Sequence, residues 1–393
     1  MSPNPIHLSS RIDLSPPNAV ATAKAEALSD GRALIDLSDS NPTRHGLTDP
    51  LLFDVLAAHL GRAAQYLPDP KGWLPARQAL ADRFGGTPNQ YWLTASTSEA
   101  YSWLFAALCD VGDSVATPVP GYPLIDPLAR LSGVATVPYR AYYSHPSGWE
   151  FDLNSVAAAL ATPGVRALVA VNPNNPTGAY LTPEVGLAIG EACARAGAVL
   201  IADEVFFEFD LEAEPGQRAP LPNSAGDEAI VVTFGGLSKL LAAPQLKLAW
   251  MRVSGPSPAT EPLGQALDAI ADTYLSVNSP VAVALPDLLE LAESTVERVT
   301  RRCRGNLGLL AQLDDGFRLR RTQGGWTGLL DVPPMMDDDE LAHWMGRHGL
   351  SAHPGWFYDL PDEGVIAVSL LPEPTLLSEA IDQLRGLATY RLD

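Results

Sequence analysis

Lys239 stands in FGGLSKLLAAPQLKLAW, behind an apolar run and a Gly-Gly turn. That order puts a primary amine at the C-terminal end of a strand, the end around which open α/β sheets gather their ligand loops. Asp203 closes a second apolar run, just before Glu204 and Val205. A carboxylate in so apolar a setting is poorly solvated and needs a cationic partner. A protonated pyridine nitrogen would be such a partner, and the pair would keep the ring an electron sink; the other reading of Asp203 is a helix cap. NPNNPTG, residues 172–178, follows a third apolar run, and its Asn and Gly residues suit a sharp turn from which Asn175 can aim its amide at a ligand oxygen. TASTSEAY, residues 94–101, opens a helix over 98–108. The N–H groups and hydroxyls of Ser96 and Thr97 there suit a phosphate at the helix N-terminus, or an ordinary Ser/Thr cap. Ser238 and Lys247 can add a hydroxyl and a cation, and Tyr122, in PVPGYPL, can stack on a flat ring.

The elements that must hold these residues read as alternating strands and helices from about 50 to 275. Ala167–Val171, Ala198–Ala202, Ile230–Phe234 and Leu248–Val253 are short apolar runs of buried-strand type. Between the first two, Pro183–Ala196 reads as a helix with Thr182 as N-cap and proline at the first helical position. This is a βαβ pattern and implies a largely parallel sheet. Residues 1–45, rich in Pro, Ser and Asn, read as an extended arm. Residues 287–315 read as one long helix, interrupted near Gly305. After it, strands at Gly328–Val332 and Val365–Leu370 mix with helices at Asp337–His348 and Thr375–Leu387, the grammar of a smaller α/β unit.

With 393 residues, the chain is long for a single core, and two domains are the expectation. Lys plus Arg number 26 against 46 Asp plus Glu, a formal charge of -20. Such a surface repels nucleic acid and anionic membrane, though it leaves room for a locally positive pocket. No apolar run approaches the ~20 residues of a membrane span, and the N-terminus lacks a signal-peptide core. Cys109, Cys193 and Cys303 are odd in number and far apart, which suits a reducing cytoplasm. The acidic run Asp337–Glu340 reads as the charged first turn of a helix, and no metal site is expected.

Together these segments resemble a fold-type I enzyme dependent on pyridoxal 5'-phosphate (PLP), of the class I/II aminotransferase family. The likeness runs from SNPT, residues 40–43, to the last helix, and its most specific part is the ordered set NPTG, DE, SK. It implies the aspartate aminotransferase-like fold: a large, mostly parallel sheet domain over 46–280 and a small α/β domain made of 1–45 with 281–393. YLPDPKGWLPAR, residues 66–77, resembles a segment in which Tyr66 reaches the cofactor phosphate of the neighbouring subunit, so a homodimer is implied. TASTSEA, with Ala95, Ser96 and Thr97, resembles the phosphate cup. Tyr122 matches the ring-stacking aromatic, Asn175 the partner of the ring oxygen, Asp203 the partner of the ring nitrogen and Lys239 the Schiff-base lysine. The implied reaction moves an amino group between an amino acid and a 2-oxo acid, the freed Lys239 amine carrying the substrate's Cα proton. A β-lyase, a cyclising synthase or a decarboxylase would use the same Lys239 and Asp203, and a domain kept for binding is the reading outside enzymology.

Four positions depart from that pattern. Phe206 replaces a tyrosine three residues after Asp203. Lys247 replaces an arginine, keeping the charge without the bidentate fork. Gly236 stands where a hydroxyl residue is usual. Ala367, in VIAVSLLPEP, occupies the place of the arginine that grips the substrate α-carboxylate. Arg44, directly after SNPT, is the leading replacement, ahead of Arg320 and Arg321, although an exposed arm arginine is the competing reading. If the enzyme instead prefers amines without a carboxylate, no anchor is needed, and Ala367 would itself be the specificity device.

Overall fold

Short apolar runs pair only with runs that share their period and burial, and here they assemble one eight-stranded sheet. A computed structural model describes residues 6–66, 68–214, 216–314, 316–333 and 336–388. In spatial order the strands are Tyr91–Thr94, Ala249–Ser254, Val231–Gly236, Val199–Asp203, Val165–Val171, Ser114–Val119, Ala135–Ser144 and Gly148–Phe151. The five central strands from Val231–Gly236 to Ala135–Ser144 run parallel, and both edges finish antiparallel. The apolar runs read from sequence sit within these bounds to one or two residues, as is usual for strand ends.

Strand alternation divides the central residues between two cores. Val169, Val171, Val199 and Ile201 pack with Tyr101, Trp103 and Phe105 of the helix Thr97–Leu108. Leu168, Ala170, Leu200 and Ala202 pack on the other face with Ile189 and Cys193 of the helix Pro183–Ala196. That helix has the expected bounds. The Thr182 side chain accepts from the N–H of Val185, and Gly197 ends the helix at φ 66°, a left-handed conformation that suits glycine.

The C-terminal strands form a separate four-stranded antiparallel sheet in the order Arg318–Leu319, Thr327–Asp331, Val365–Ser369, His353–Pro354. Along Val365–Ser369 the faces alternate again: Ile366 and Val368 enter a core with Trp344 and Leu384, while Ala367 and Ser369 face the large sheet's ligand end. The acidic run starting at Asp337 forms a capping box, with Asp337 accepting from the Glu340 N–H and Glu340 accepting in return.

Two expectations need correction. Residues 1–45 are not simply extended, because Ala19–Ser29 is a helix capped by Asn18. Its apolar residues are mostly alanines, which carry high helix propensity but little periodic signal. Beyond it, Ile35–Asp36 pairs in parallel with Leu350–Ser351, so the arm joins the C-terminal unit. The long helix spans Ala292–Leu310 and passes unbroken through Gly305. Gly305 lies on the exposed face, and burial of Val299, Cys303 and Leu307 outweighs its ~1 kcal/mol propensity cost. The break falls earlier, at residues 290–291, after a separate helix Ser279–Leu289 that packs with Leu52, Leu80 and Leu237 beside the large sheet. Among the described residues no helix is long and apolar enough to cross a membrane.

Candidate functional site

Three parallel strands end on one line. Val171 is in register with Asp203, and Asp203 with Phe234, two residues before the strand closes at Gly236. The chain segments leaving these ends surround a cavity of about 460 Å³. Ser96, Thr97, Tyr122, Asn175, Asp203, Ser238, Lys239 and Lys247 all line it. Segments up to about 150 residues apart in sequence are thus brought to one place, as the strand-end argument requires.

Asp203 is 4% exposed and its carboxylate accepts from the Tyr101 hydroxyl at 2.9 Å and the Val205 N–H at 3.3 Å. Burial raises its pKa despite those two donors and the nearby Lys239. Lys239 follows the strand end in a short helical turn, Leu237–Leu240. Its Nζ lies 5.0 Å from the centroid of the Phe206 ring and 4.8 Å from that of Trp326. Burial in this aromatic setting pulls its pKa down to about 8, against the opposing pull of Asp203. An amine near that value is part deprotonated close to neutral pH, the condition for a nucleophile and a proton carrier. Burial, helped by the Asp203 charge, pushes the Tyr122 phenol up to about 12.

The helix Thr97–Leu108 begins with the Ser96 hydroxyl accepting from the Glu99 N–H. The first-turn N–H groups of Thr97 and Ser98 have no intrahelical acceptor and stand at the cavity, where they suit an anion. Ala95, also read as part of the cup, is different: its N–H already donates to Glu99 at 2.6 Å. Lys247 supplies an exposed cation at the rim from a left-handed turn, φ 50°, whose carbonyl accepts from Asn278. In NPNNPTG the asparagines divide their work. Asn172 binds Glu204 and the Leu181 N–H, and Asn174 binds Thr177 and the Pro120 carbonyl, while Asn175 lines the cavity. Gly178 ends the turn at φ 68°, where a Cβ would lie 2.7 Å from the Gly324 carbonyl oxygen. That close approach ties the turn to the GGWTG segment and so seats Trp326 beside Lys239.

Other expected residues are not brought in. Tyr66, expected at the neighbouring subunit's site, is 61% exposed and lies outside the cavity of its own chain. Arg44 is 71% exposed and pairs with Asp39 at 3.2 Å. Arg320 is buried against Asp331 and Asp362, and Arg321 is engaged with Glu214. None of the three arginines lines the cavity. Phe206, Gly236 and Ala367 do.

Several residues escaped the sequence reading. Tyr101 lies on the buried face of its helix and carries no mark distinguishing it from a core aromatic. Trp326, His353, Phe357 and Tyr358 reach the site from the second sheet, through contacts between distant segments. Tyr101→Phe removes one of two donors to a buried carboxylate. The expected results are a stability loss of about 1–2 kcal/mol in urea unfolding and a fall in kcat of about 10-fold; unchanged values in both would show that the hydroxyl is idle.

The class I and II aminotransferase family model matches residues 34–348. The glutamate-pyruvate aminotransferase AlaA of Escherichia coli K12 is 30% identical over 281 residues, which cover 69% of this chain and 67% of that protein. An alanine aminotransferase of Mycobacterium tuberculosis H37Rv is 27% identical over 321 residues, 79% of this chain and 69% of the relative. A crystal structure of an aminotransferase from Escherichia coli superposes with a TM-score of 0.86 at 22% identity, over 99% of this chain and 100% of that one, a likeness of fold. The family match over most of the chain and the 30% identical relative show that the chain belongs to the class I and II aminotransferase family and is an aminotransferase.

Proposed function

We propose that the protein moves an amino group between an amino acid and a 2-oxo acid with PLP held on Lys239. The observation that carries this is the pairing, in one cavity, of a lysine amine pulled down to about 8 with the buried carboxylate of Asp203. The donor set fits the cofactor. The Thr97 and Ser98 N–H groups, the hydroxyls of Ser96, Thr97 and Ser238, and the Lys247 ammonium would hold its phosphate. Tyr122 would cover a ring face, Asn175 would meet the ring oxygen, and Asp203 would keep a proton on the ring nitrogen. PLP, when bound, supplies the electron sink that acidifies a substrate Cα–H. Lys239 would anchor the cofactor and, when its amine is free, would carry the substrate's Cα proton. Phe206 and Trp326 keep water from that amine, which lets its pKa stay near the working pH.

The relatives' names make alanine, glutamate and pyruvate the first compounds to test. Cofactor-loaded enzyme mixed with single amino acids should lose its lysine-bound absorbance and gain that of the amine form of the cofactor, with one equivalent of 2-oxo acid released. A loaded enzyme that converts with no amino acid, or yields only elimination or decarboxylation products, would overturn the reading. Phe206 offers no hydrogen to the ring oxygen. A phenol there would stabilise the deprotonated lysine adduct, so Phe206→Tyr should move the visible-absorbance titration to lower pH. No shift, or a rise, would remove this position from the tuning of the site.

The same reading places the enzyme in amino-acid metabolism, in a reducing cytoplasm that suits its three free cysteines, and as a homodimer that would draw the exposed Tyr66 to the partner's site. The larger domain would be 46–280 and the smaller 1–45 with 281–393. The packing of Ser279–Leu289 beside the large sheet supports moving the second boundary to about 291.

A further inference from the structure

We propose that His353 recognises the substrate α-carboxylate, and that the enzyme is thereby suited to amino acids with one carboxylate and an uncharged side chain. The inference rests on the aminotransferase reading and adds the part of the site that sequence left open. His353 and Ala367 are directly paired across the antiparallel strands of the small sheet, and both line the cavity. Cross-strand partners share a face, with Cβ atoms about 5 Å apart. The imidazole therefore stands over the place that a side chain at 367 would fill, and the alanine methyl leaves that place open.

The imidazole is held in a defined pose. It stacks on Phe357 with centroids 4.1 Å apart and planes 15° apart, and its Nδ1 is 3.2 Å from the Tyr358 hydroxyl. Burial keeps that phenol protonated. Where the Tyr358 hydroxyl donates to Nδ1, the hydrogen sits on Nε2 and the ring is a donor toward a ligand. The alternatives are committed elsewhere: Arg44 to Asp39, Arg320 to Asp331 and Asp362, and Arg321 to Glu214. Among the described residues lining the cavity, the basic ones besides His353 are Lys239 and Lys247, both assigned to the cofactor. Within one chain, a second, side-chain carboxylate would meet no cation of its own among the described lining residues, which disfavours dicarboxylic donors.

The test uses the cofactor-loaded full chain and L-alanine, with cofactor occupancy read from visible absorbance in every variant. His353→Ala should raise the KM for alanine about 10-fold while kcat changes less than 3-fold, because a hydrogen bond to a charged group is lost. His353→Gln, which keeps a donor, should recover part of the loss, and it carries the test if the alanine variant does not fold. Wild-type enzyme should also prefer alanine to glutamate in kcat/KM. An unchanged KM in His353→Ala, or a loss confined to kcat, would overturn the assignment of His353. A wild-type preference for glutamate would overturn the substrate class. Failure of wild-type enzyme with every amino acid would instead remove the aminotransferase reading on which both rest.

Discussion

Lys239→Ala is expected to lower kcat by about 10⁴-fold or more, the upper range for a proton-transfer group, since on the proposed reading the same side chain would also anchor the cofactor. The physical basis is the site of the amine. Nζ sits between the Phe206 and Trp326 rings and within the influence of Asp203, and burial opposes its charge. A surface lysine at pKa 10.5 would be a proton carrier only rarely at neutral pH, whereas one pulled down to about 8 is poised for it. The lowered value also has a signature without cofactor. Between pH 8 and 10.5 the unfolded chain holds the Lys239 proton and the folded chain has released it. Wild-type stability relative to Lys239→Ala should therefore rise with pH across that window. Paired urea titrations of the cofactor-free proteins would measure it, and a flat difference would show that the amine is solvated. Borohydride trapping gives the covalent check: wild type should carry the label on the peptide containing Lys239, and a variant still labelled on that peptide would remove the assignment.

Asp203→Asn should lower kcat/KM by about 10²–10³-fold, the usual cost of removing one preorganised electrostatic group from a reacting centre. Asparagine keeps the shape and can accept from Tyr101, but on the proposed reading it could not hold a proton on the cofactor's ring nitrogen. Stability should move the other way in cofactor-free protein. The folded pKa of Asp203 is raised by burial, so the stability tied to this group is full at low pH and is lost as pH climbs through and above the ordinary aspartate range. At neutral pH the buried carboxylate is a burden, and the Asn variant should melt higher than wild type. Adding PLP should reverse the order, because only the carboxylate gains a cationic partner. Melting curves of both proteins with and without PLP decide the point; a lower cofactor-free melting temperature for Asp203→Asn, or near-normal activity when loaded, would count against this role.

Much of this site was readable in the chain itself. Lys239, Asp203 and Asn175 each follow an apolar run, and period and run length alone place them at strand ends. Thr182, Pro183 and Gly197 bound their helix by chemistry that acts within four residues, so the bounds were correct. Ser96 at a helix start is legible for the same reason. The errors have the opposite character. Ala19–Ser29 is helical although its alanines give no strong pattern, and Gly305 is tolerated because one helix face is buried by residues the local window cannot see.

Sequence by itself determined the largely parallel sheet and the strand-end positions of Lys239 and Asp203, because periodicity, capping and strand-end placement are local properties. Tertiary structure alone decided what surrounds them. Tyr101 donates to a carboxylate 102 positions away, and the Gly178–Gly324 approach brings Trp326 to Lys239. Arg44, plausible by its neighbours, is turned to solvent and Asp39, while His353 enters through its pairing with Ala367. These contacts depend on how a second sheet packs over the end of the first, and burial across such a distance leaves no periodic trace in the segments that make it.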